Sequence, residues 1–171
     1  MSLMTCKGSA WWTVLAKDQS DTNAISCYAV ETNQPNCVVG AFCMYANETL
    51  NVKLSPNSVQ TNNPLLNKKS VEVLDIQPAW NELFPSNHIY NVTYEDDVHI
   101  DIPYLWVGYY QTNTAATHAC LVYFHTNSVT YKHFLYLPTT HTNYMTTTNY
   151  EYFFKHTVRI YTSRQENYEY K

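Results

Sequence analysis

The chain has 171 residues, a formal net charge of −4 and only 14% charged residues, whereas about 25% is average for a soluble domain. This length favours one domain that buries a core of its own. The acidic balance and the lack of a basic stripe argue against nucleic acid as a partner. No apolar run is long enough to cross a membrane, and no apolar signal segment follows Met1. Residues 1–4 resemble an expression remnant, so we expect a single domain over residues 5–171.

Aromatic and β-branched residues predict a chain built mainly from β-strands. The sequence contains 16 Tyr, 6 Phe and 4 Trp but only 3 Gly, and aromatic and β-branched side chains suit the half-buried surface of a sheet. The strand-like runs in chain order are residues 11–16, 24–30, 37–45, 50–54, 98–102, 104–110, 120–125, 129–137, 152–154 and 157–161. We expect a bulge at Gly108. Many short strands separated by turns indicate an antiparallel sandwich.

Residues 63–84 are the exception to this strand pattern. Asn63 followed by Pro64 is typical of a helix N-terminus, and Pro78 would end such a helix. Residues 71–76 nevertheless alternate as a strand does. Both assignments stay open for residues 64–77, and a second short turn is predicted at 78–83. The alternative architecture is therefore a single antiparallel sheet packed around one central helix at 64–77.

The five cysteines indicate thiols rather than a zinc site or a complete disulfide framework. An odd number cannot pair fully within one chain, and no Cys-x-x-Cys motif occurs. If Cys37 and Cys43 share one strand, they lie about 20 Å apart, too far to form a disulfide. We expect mostly free, buried thiols that pack as small apolar groups. One disulfide within the N-terminal third is the alternative.

The sequence shows no motif that is typical of an enzyme. The three glycines are isolated, and neither a nucleophile elbow nor a metalloprotease motif is present. Glu95, Asp96 and Asp97 are adjacent in one loop, whereas the carboxylates of a glycosidase face each other about 5 to 10 Å apart. The alternating oxygen ligands of a calcium loop are also missing. We therefore expect no catalysis, no metal ion and no cofactor.

Residues 120–150 have the composition of a surface that contacts a neutral polar ligand. A predicted hairpin at 120–137 is followed by a run of Thr, Asn and Tyr that ends at Tyr150. Sugars place their C–H faces on aromatic rings and exchange hydrogen bonds with amides and hydroxyls. Tyr, Thr and Asn supply both kinds of contact. Half-buried packing of tyrosines in a sheet is the competing interpretation, and composition alone does not decide between them.

This segment resembles part of the glycan-binding head domain of the rotavirus outer-capsid spike protein. That family carries a Lys-Tyr-Tyr-Ser-Thr-Thr-Asn-Tyr type segment, and residues 143–150 here read Asn-Tyr-Met-Thr-Thr-Thr-Asn-Tyr. Asn127, Tyr131 and Pro138 fall in step upstream, and residues 159–171 resemble the closing strand and acidic end of the family. Residues 11–16 are similar to its first Tyr-Trp strand. The likeness lies mainly in the last third of the chain.

The resemblance implies a galectin-like antiparallel β-sandwich with one short helix that attaches a virion to host cell-surface glycans. Such a domain stands on the outer capsid, is joined to the remainder of the spike protein, and is released from the membrane-penetrating part by trypsin. It does not itself insert into a membrane. The glycan site that the resemblance implies comprises Asn143, Tyr144, Met145 and Thr146, with Tyr110 as a neighbour.

Three departures from the family pattern change the expected ligand. Asn143 replaces the lysine, Met145 replaces the second tyrosine, and no arginine lies near Asn36 and Cys37, where the family arginine would align. A sialic-acid carboxylate requires a bidentate arginine or a similar donor. We therefore expect a neutral glycan of the blood-group or lactosamine type, and a divergent rotavirus group. The alternative function is a structural or antigenic spike cap whose receptor is a protein.

Overall fold

The computed structural model describes residues 3–5, 35–68, 70–92, 98–108, 118–136, 141–149 and 157–163. The predicted strands at 11–16, 24–30 and 152–154 lie outside these ranges. So do the acidic cluster at 95–97 and Tyr110 of the predicted glycan site.

Most of the described strands belong to one antiparallel sheet. The strands are β1 Leu3–Thr5, β2 Ser70–Glu72, β3 Tyr90–Asn91, β4 Pro103–Gly108, β5 His118–Phe124, β6 Val129–Tyr136, β7 His141–Thr148 and β8 Thr157–Thr162. The helices are α1 Cys37–Leu50, α2 Pro56–Asn62 and α3 Ile76–Leu83, with a 3-10 turn at Val73–Asp75 before α3. Six strands pair in the order β3-β8-β4-β5-β6-β7, while β1 pairs with β2.

The C-terminal strands follow the predicted pattern. β5 and β6 form the predicted hairpin, and its turn is closed by a hydrogen bond of 2.8 Å from the His125 N–H to the Ser128 carbonyl. The register of β4 against β8 shifts between Val107 and Gly108, which confirms the bulge at Gly108. The predicted strand at 157–161 is β8. The prediction of a strand at 98–102 is wrong, because this segment contributes only an isolated bridge from Ile100 to Phe124.

Helix α1 replaces the strand that was predicted at 37–45. Its N-cap is Asn36, whose side-chain oxygen accepts a hydrogen bond of 2.9 Å from the Val39 N–H. Residues 37–46 are all buried, so their apolar run lacks the periodicity that separates a buried helix from a buried strand. The helix ends at Asn51, which adopts a left-handed conformation with φ 56°. The strand predicted at 50–54 is therefore wrong as well.

The segment 64–77 is neither one helix nor one strand. Residues 64–68 form turns, followed by β2, the 3-10 turn and the start of α3. Asn63 is not the N-cap of a helix. It is the C-cap of α2, and its side-chain oxygen accepts a hydrogen bond from the Leu65 N–H in a local turn. Pro78 does not end a helix either. It lies in the first turn of α3, where a backbone N–H has no partner within the helix.

Both faces of the sheet centre are buried. Helix α1 packs over β4, β5 and β6, where it covers the side chains of Leu105 and Leu121. On the other face, Trp106 and Tyr131 are fully buried and stack with ring centroids 5.2 Å apart. The protein thus has an antiparallel sheet with a few short helices. A sheet packed on a helix was one of the two predicted architectures, but the helix is α1 and not residues 64–77.

The described cysteines are buried and form no disulfide, as predicted for most of the five. They are Cys37, Cys43 and Cys120. The predicted reason was wrong for the first two, because they lie on one helix rather than on one strand. Burial raises the pKa of the Cys43 thiol to about 12, so this group stays protonated at neutral pH. No helix in the described ranges has the length and apolar character that a membrane span requires.

Candidate functional site

The β7 end of the sheet extends beyond the helix that covers the centre. β7 pairs with β6 and is the last strand on that side of the described sheet. Met145, Thr147 and Asn149 are exposed there, and Met145 is 53% exposed. We call these three residues, together with the adjoining Lys132 and Glu48, the β7 shelf.

The register places the β7 shelf on the same side of the sheet as helix α1. Lys132 of β6 pairs with Leu121 on one side and with Met145 on the other. Residues directly opposite each other in antiparallel strands share a face, and Leu121 belongs to the core under α1. Thr147 pairs with Thr130 on this same face. The shelf therefore lies between the last turn of α1 and the β7 end of the sheet.

Four of the five predicted glycan-site residues lie in β7. Asn143 pairs with Phe134 and Met145 with Lys132, so these two positions belong to the shelf side. Tyr144 pairs with His133 and Thr146 with Tyr131, and both of these β6 partners are buried. Consecutive positions of a strand alternate between its faces. The strand thus brings positions 143 and 145 together on one face, and positions 144 and 146 on the other.

Glu48 joins the last turn of α1 to two strands of the sheet. Its Oε1 accepts a hydrogen bond of 2.6 Å from the Tyr123 hydroxyl, and its Oε2 accepts one of 2.6 Å from the Lys132 Nζ. The Glu48 and Lys132 side chains are 27% and 18% exposed, so the pair is only partly screened by water.

The contacts in this cluster shift the pKa values of Glu48 and Tyr123. Burial raises the pKa of the Glu48 carboxyl, but the hydrogen bonds from Lys132 and Tyr123 and the charge of Lys132 outweigh it and hold this pKa below its ordinary value. Burial, with the hydrogen bond to Glu48 and its charge, raises the pKa of the Tyr123 hydroxyl. At neutral pH the cluster therefore holds one anion, one cation and one neutral phenol, with no net charge.

A second group of hydrogen-bonded polar side chains lies on the same side of the sheet, at the turn between β5 and β6. His125 Nδ1 lies 2.9 Å from Asp101 Oδ1, and its Nε2 lies 2.9 Å from Thr130 Oγ1. A carboxylate, an imidazole and a hydroxyl in this order can activate a nucleophile when the hydroxyl is open to a substrate. Thr130 is only 9% exposed and lies inside a strand that is paired on both sides. We interpret the contacts of His125 with Asp101 and Thr130 as hydrogen bonds that stabilise the β5–β6 turn.

Both polar clusters escaped the sequence analysis, for different reasons. Glu48 sits in a segment whose helix was not foreseen, so nothing in the sequence linked it to Tyr123 and Lys132. Lys132 offered a signal, because it is a charged residue inside a mostly apolar and aromatic strand and so requires a partner. Asp101 has a positive φ of 65°, which the sequence did not reveal.

Neither a metal centre nor a known relative identifies the site. Within the described ranges, no group of three or more His, Cys, Asp or Glu side chains could hold a metal ion. No protein-family model, curated protein or solved structure matches the chain. What the protein binds therefore has to follow from the chemistry of the β7 shelf.

Proposed function

We propose that the chain is a non-catalytic attachment domain of a viral outer-capsid spike, and that its β7 shelf binds neutral cell-surface glycans of the host. The observation that carries this proposal is the exposed strand end next to the Glu48, Lys132 and Tyr123 cluster. Met145 supplies an apolar contact for a sugar C–H face, and Thr147 and Asn149 supply hydroxyl and amide groups for sugar hydroxyls. The resemblance of residues 120–171 to the rotavirus spike head supports the same function.

The electrostatics of the shelf favour a neutral glycan over an acidic one. Lys132 is the cation nearest to Met145 in the register of the described strands, and Glu48 already pairs with it at 2.6 Å. A sialic-acid carboxylate would have to displace Glu48 or add a second anion beside it. Asn36 stands where the family arginine would align, and its amide is buried at the start of α1, where it bonds to the backbone. It offers no donor to an acidic sugar.

The galectin-like sandwich belongs to the same proposal. A sandwich requires chain packed against the sheet face opposite α1. Tyr104, Trp106 and Phe124 lie on that face and are fully buried, which supports a covering layer there.

A glycan array with matched variants tests the proposal. The wild-type domain is expected to bind neutral blood-group or lactosamine chains, and sialidase treatment of the array should leave this binding unchanged. Met145→Ala should lose the binding, because it removes the apolar contact of the shelf. Ile100→Ala is the matched control, since Ile100 is similarly exposed, at 50%, but lies outside β7. This variant should bind as the wild type does.

Three outcomes would overturn parts of this proposal. Binding that sialidase abolishes would show an acidic ligand. Equal loss of binding in Met145→Ala and Ile100→Ala would place the glycan away from the shelf. A domain that binds no glycan yet attaches to glycan-stripped cells would favour the alternative, a spike cap with a protein receptor.

A further inference from the structure

A cleft of about 400 Å³ lies at the opposite end of the sheet from the β7 shelf. It opens between the segment 73–81, which covers the 3-10 turn and the first part of α3, and the strands β3 and β8. Five strand spacings of about 4.8 Å separate β3 from β7, roughly 24 Å in all. One monosaccharide cannot touch both places, so the cleft is a separate feature of the molecule.

The lining of the cleft combines side-chain amides with apolar groups. The amides are those of Gln77, Asn81 and Asn91. The apolar part includes Val73, Leu74 and Pro78, and Leu74 is 60% exposed although it is a large aliphatic residue. Ligand sites of this size are typically apolar surfaces with a few polar groups that fix orientation.

The side-chain amides of the cleft suit a ligand that both donates and accepts hydrogen bonds. Asn81 lines the cleft, and its Oδ1 accepts a hydrogen bond of 3.0 Å from the Ile89 N–H. The group that this side chain can offer to a ligand is therefore its Nδ2 donor. Gln77 and Asn91 each carry both a carbonyl oxygen and an NH₂ group. None of the described lining residues is acidic or basic, so the cleft suits an uncharged ligand.

We propose that this cleft binds an N-acetylated sugar through its acetamido group. A secondary amide has one N–H and one C=O, which match the acceptors and donors of the three side-chain amides. Its methyl group fits the apolar patch formed by Val73, Leu74 and Pro78. An exposed leucine beside buried Tyr161 gives the C–H face of a pyranose ring an apolar contact, which a bare peptide bond would not use. The proposal is independent of glycan binding at the β7 shelf.

Methyl-resolved NMR can test the cleft and the shelf in one sample. The protein carries ¹³C-labelled Leu and Met methyl groups, so that Leu74 reports on the cleft and Met145 on the shelf. It is titrated with methyl N-acetyl-β-glucosaminide, with methyl β-glucoside and with N-acetylalanine methylamide. Bacterial expression is appropriate, because Asn91 begins a glycosylation sequon, Asn91-Val92-Thr93, and an attached glycan would fill the cleft.

The proposal expects the N-acetylated sugar to shift the Leu74 methyl signals and the glucoside to leave them in place. Gln77→Ala should weaken this binding about tenfold, the effect of one lost ligand hydrogen bond. Gln77→Glu, which keeps the shape but removes the NH₂ donor, should weaken it similarly. Ile100→Ala is the control, because Ile100 is exposed and lies outside both the cleft and the β7 shelf. This variant should bind the N-acetylated sugar at the cleft as tightly as the wild type does.

Four results would overturn the proposal. The first is an equal shift of the Leu74 signals with the N-acetylated sugar and with methyl β-glucoside, and the second is stronger binding of N-acetylalanine methylamide than of the N-acetylated sugar. The third is an unchanged affinity for the N-acetylated sugar in both Gln77 variants. The fourth is no shift of the Leu74 signals with any of the three probes. A sugar that shifts Met145 but not Leu74 would remove the cleft site and leave the proposed function of the shelf standing.

Discussion

The centre of the sheet and its β7 end face the same side of the molecule, yet they are covered differently. Over the centre, α1 approaches so closely that Gly40 lies directly on Phe134, and Leu105 and Leu121 beneath the helix are buried. At the β7 end, Met145, Thr147 and Asn149 are exposed. The comparison indicates that the helix–sheet contact supplies stability, while the uncovered strand is available for binding. Substitutions should therefore change stability in the first region and ligand binding in the second.

The largest effect on stability is expected from Asn36, which holds the start of α1. Its side chain accepts from the Val39 N–H and donates to the Leu66 and Lys68 carbonyls at 3.0 and 2.8 Å. Asn36→Ala removes the helix cap, worth about 1 kcal/mol, and the buried bonds, worth about 1–3 kcal/mol. We expect the free energy of unfolding in urea to fall by about 2–4 kcal/mol.

Asn36→Ser separates the two contributions. A serine hydroxyl can still cap the helix but is too short to reach Leu66 and Lys68. This variant should therefore be more stable than Asn36→Ala by about 1 kcal/mol. If both variants lose less than about 0.5 kcal/mol, the amide of Asn36 does not anchor α1.

The next effect concerns the closest approach of helix and sheet. A Cβ on Gly40 would lie 2.9 Å from Phe134 Cδ1 and 3.0 Å from Phe134 Cβ. Alanine gains about 1 kcal/mol in helix propensity, whereas overpacking costs about 1–3 kcal/mol. The contact with Phe134 Cβ is close to the backbone and cannot be relieved by rotating the ring. We therefore expect Gly40→Ala to lower the free energy of unfolding by about 1 kcal/mol.

An exposed position of the same helix is the control for Gly40→Ala. Asn47→Ala adds helix propensity where the side chain is exposed, so it should be neutral or slightly stabilising. A Gly40→Ala variant that is more stable than the wild type would show that the helix can move away from β6. The distinction between a tightly covered centre and an open end would then be weakened.

A smaller effect is expected where the two regions meet, at Glu48. Because the folded state lowers the pKa of this carboxyl below its ordinary 4.5, the ionised group adds stability above that pH. The contribution is lost as the pH falls through the lower, folded pKa. Because the Glu48–Lys132 ion pair is partly exposed, it contributes less than about 1 kcal/mol to the free energy of unfolding. Glu48→Gln should be less stable than the wild type at pH 7, and this difference should shrink below about pH 4.5.

Urea unfolding of both proteins between pH 3 and pH 7 measures this difference. Glu82→Gln, which removes an exposed carboxylate from α3, is the matched control. A Glu48→Gln difference that is constant over this range would mean that the Glu48 charge does not stabilise the contact with Lys132 and Tyr123.

The sequence predicted the strands of the sheet better than the helix that covers its centre. The β5–β6 hairpin, β8 and the bulge at Gly108 follow from local patterns, which are period-2 alternation, a polar turn and an isolated glycine. Helix α1 could not be inferred, because all its first ten residues are buried and a uniformly apolar run carries no period. Its start at Asn36 and its end at Asn51 are both marked by asparagine, a residue that also suits turns, and Asn51 lies inside the strand that was predicted at 50–54.

The candidate site was predictable only in part, for a related reason. The composition of residues 141–149 indicated a polar surface, and the strand that carries Met145 was found within it. The strand pairs with its neighbour β6, whereas Glu48 and Tyr123 of the adjoining cluster come from α1 and β5, earlier in the chain. The distances that join Glu48 to Tyr123 and Lys132 depend on the packing of α1 against the sheet, which no local pattern encodes. The cleft at 73–91 likewise depends on how α3 lies beside β3.

The smallest effect on stability is expected at Met145, where the proposed effect on binding is largest. The side chain is 53% exposed, so Met145→Ala should change the free energy of unfolding by no more than about 0.5 kcal/mol. The unfolding of this variant is measured in the same urea series as that of Gly40→Ala. A loss above about 1 kcal/mol would show that Met145 packs against the sheet, and the proposed division between a stabilising centre and a binding end would fail. If stability is kept while glycan binding is lost, the side chain acts on the ligand and not on the fold.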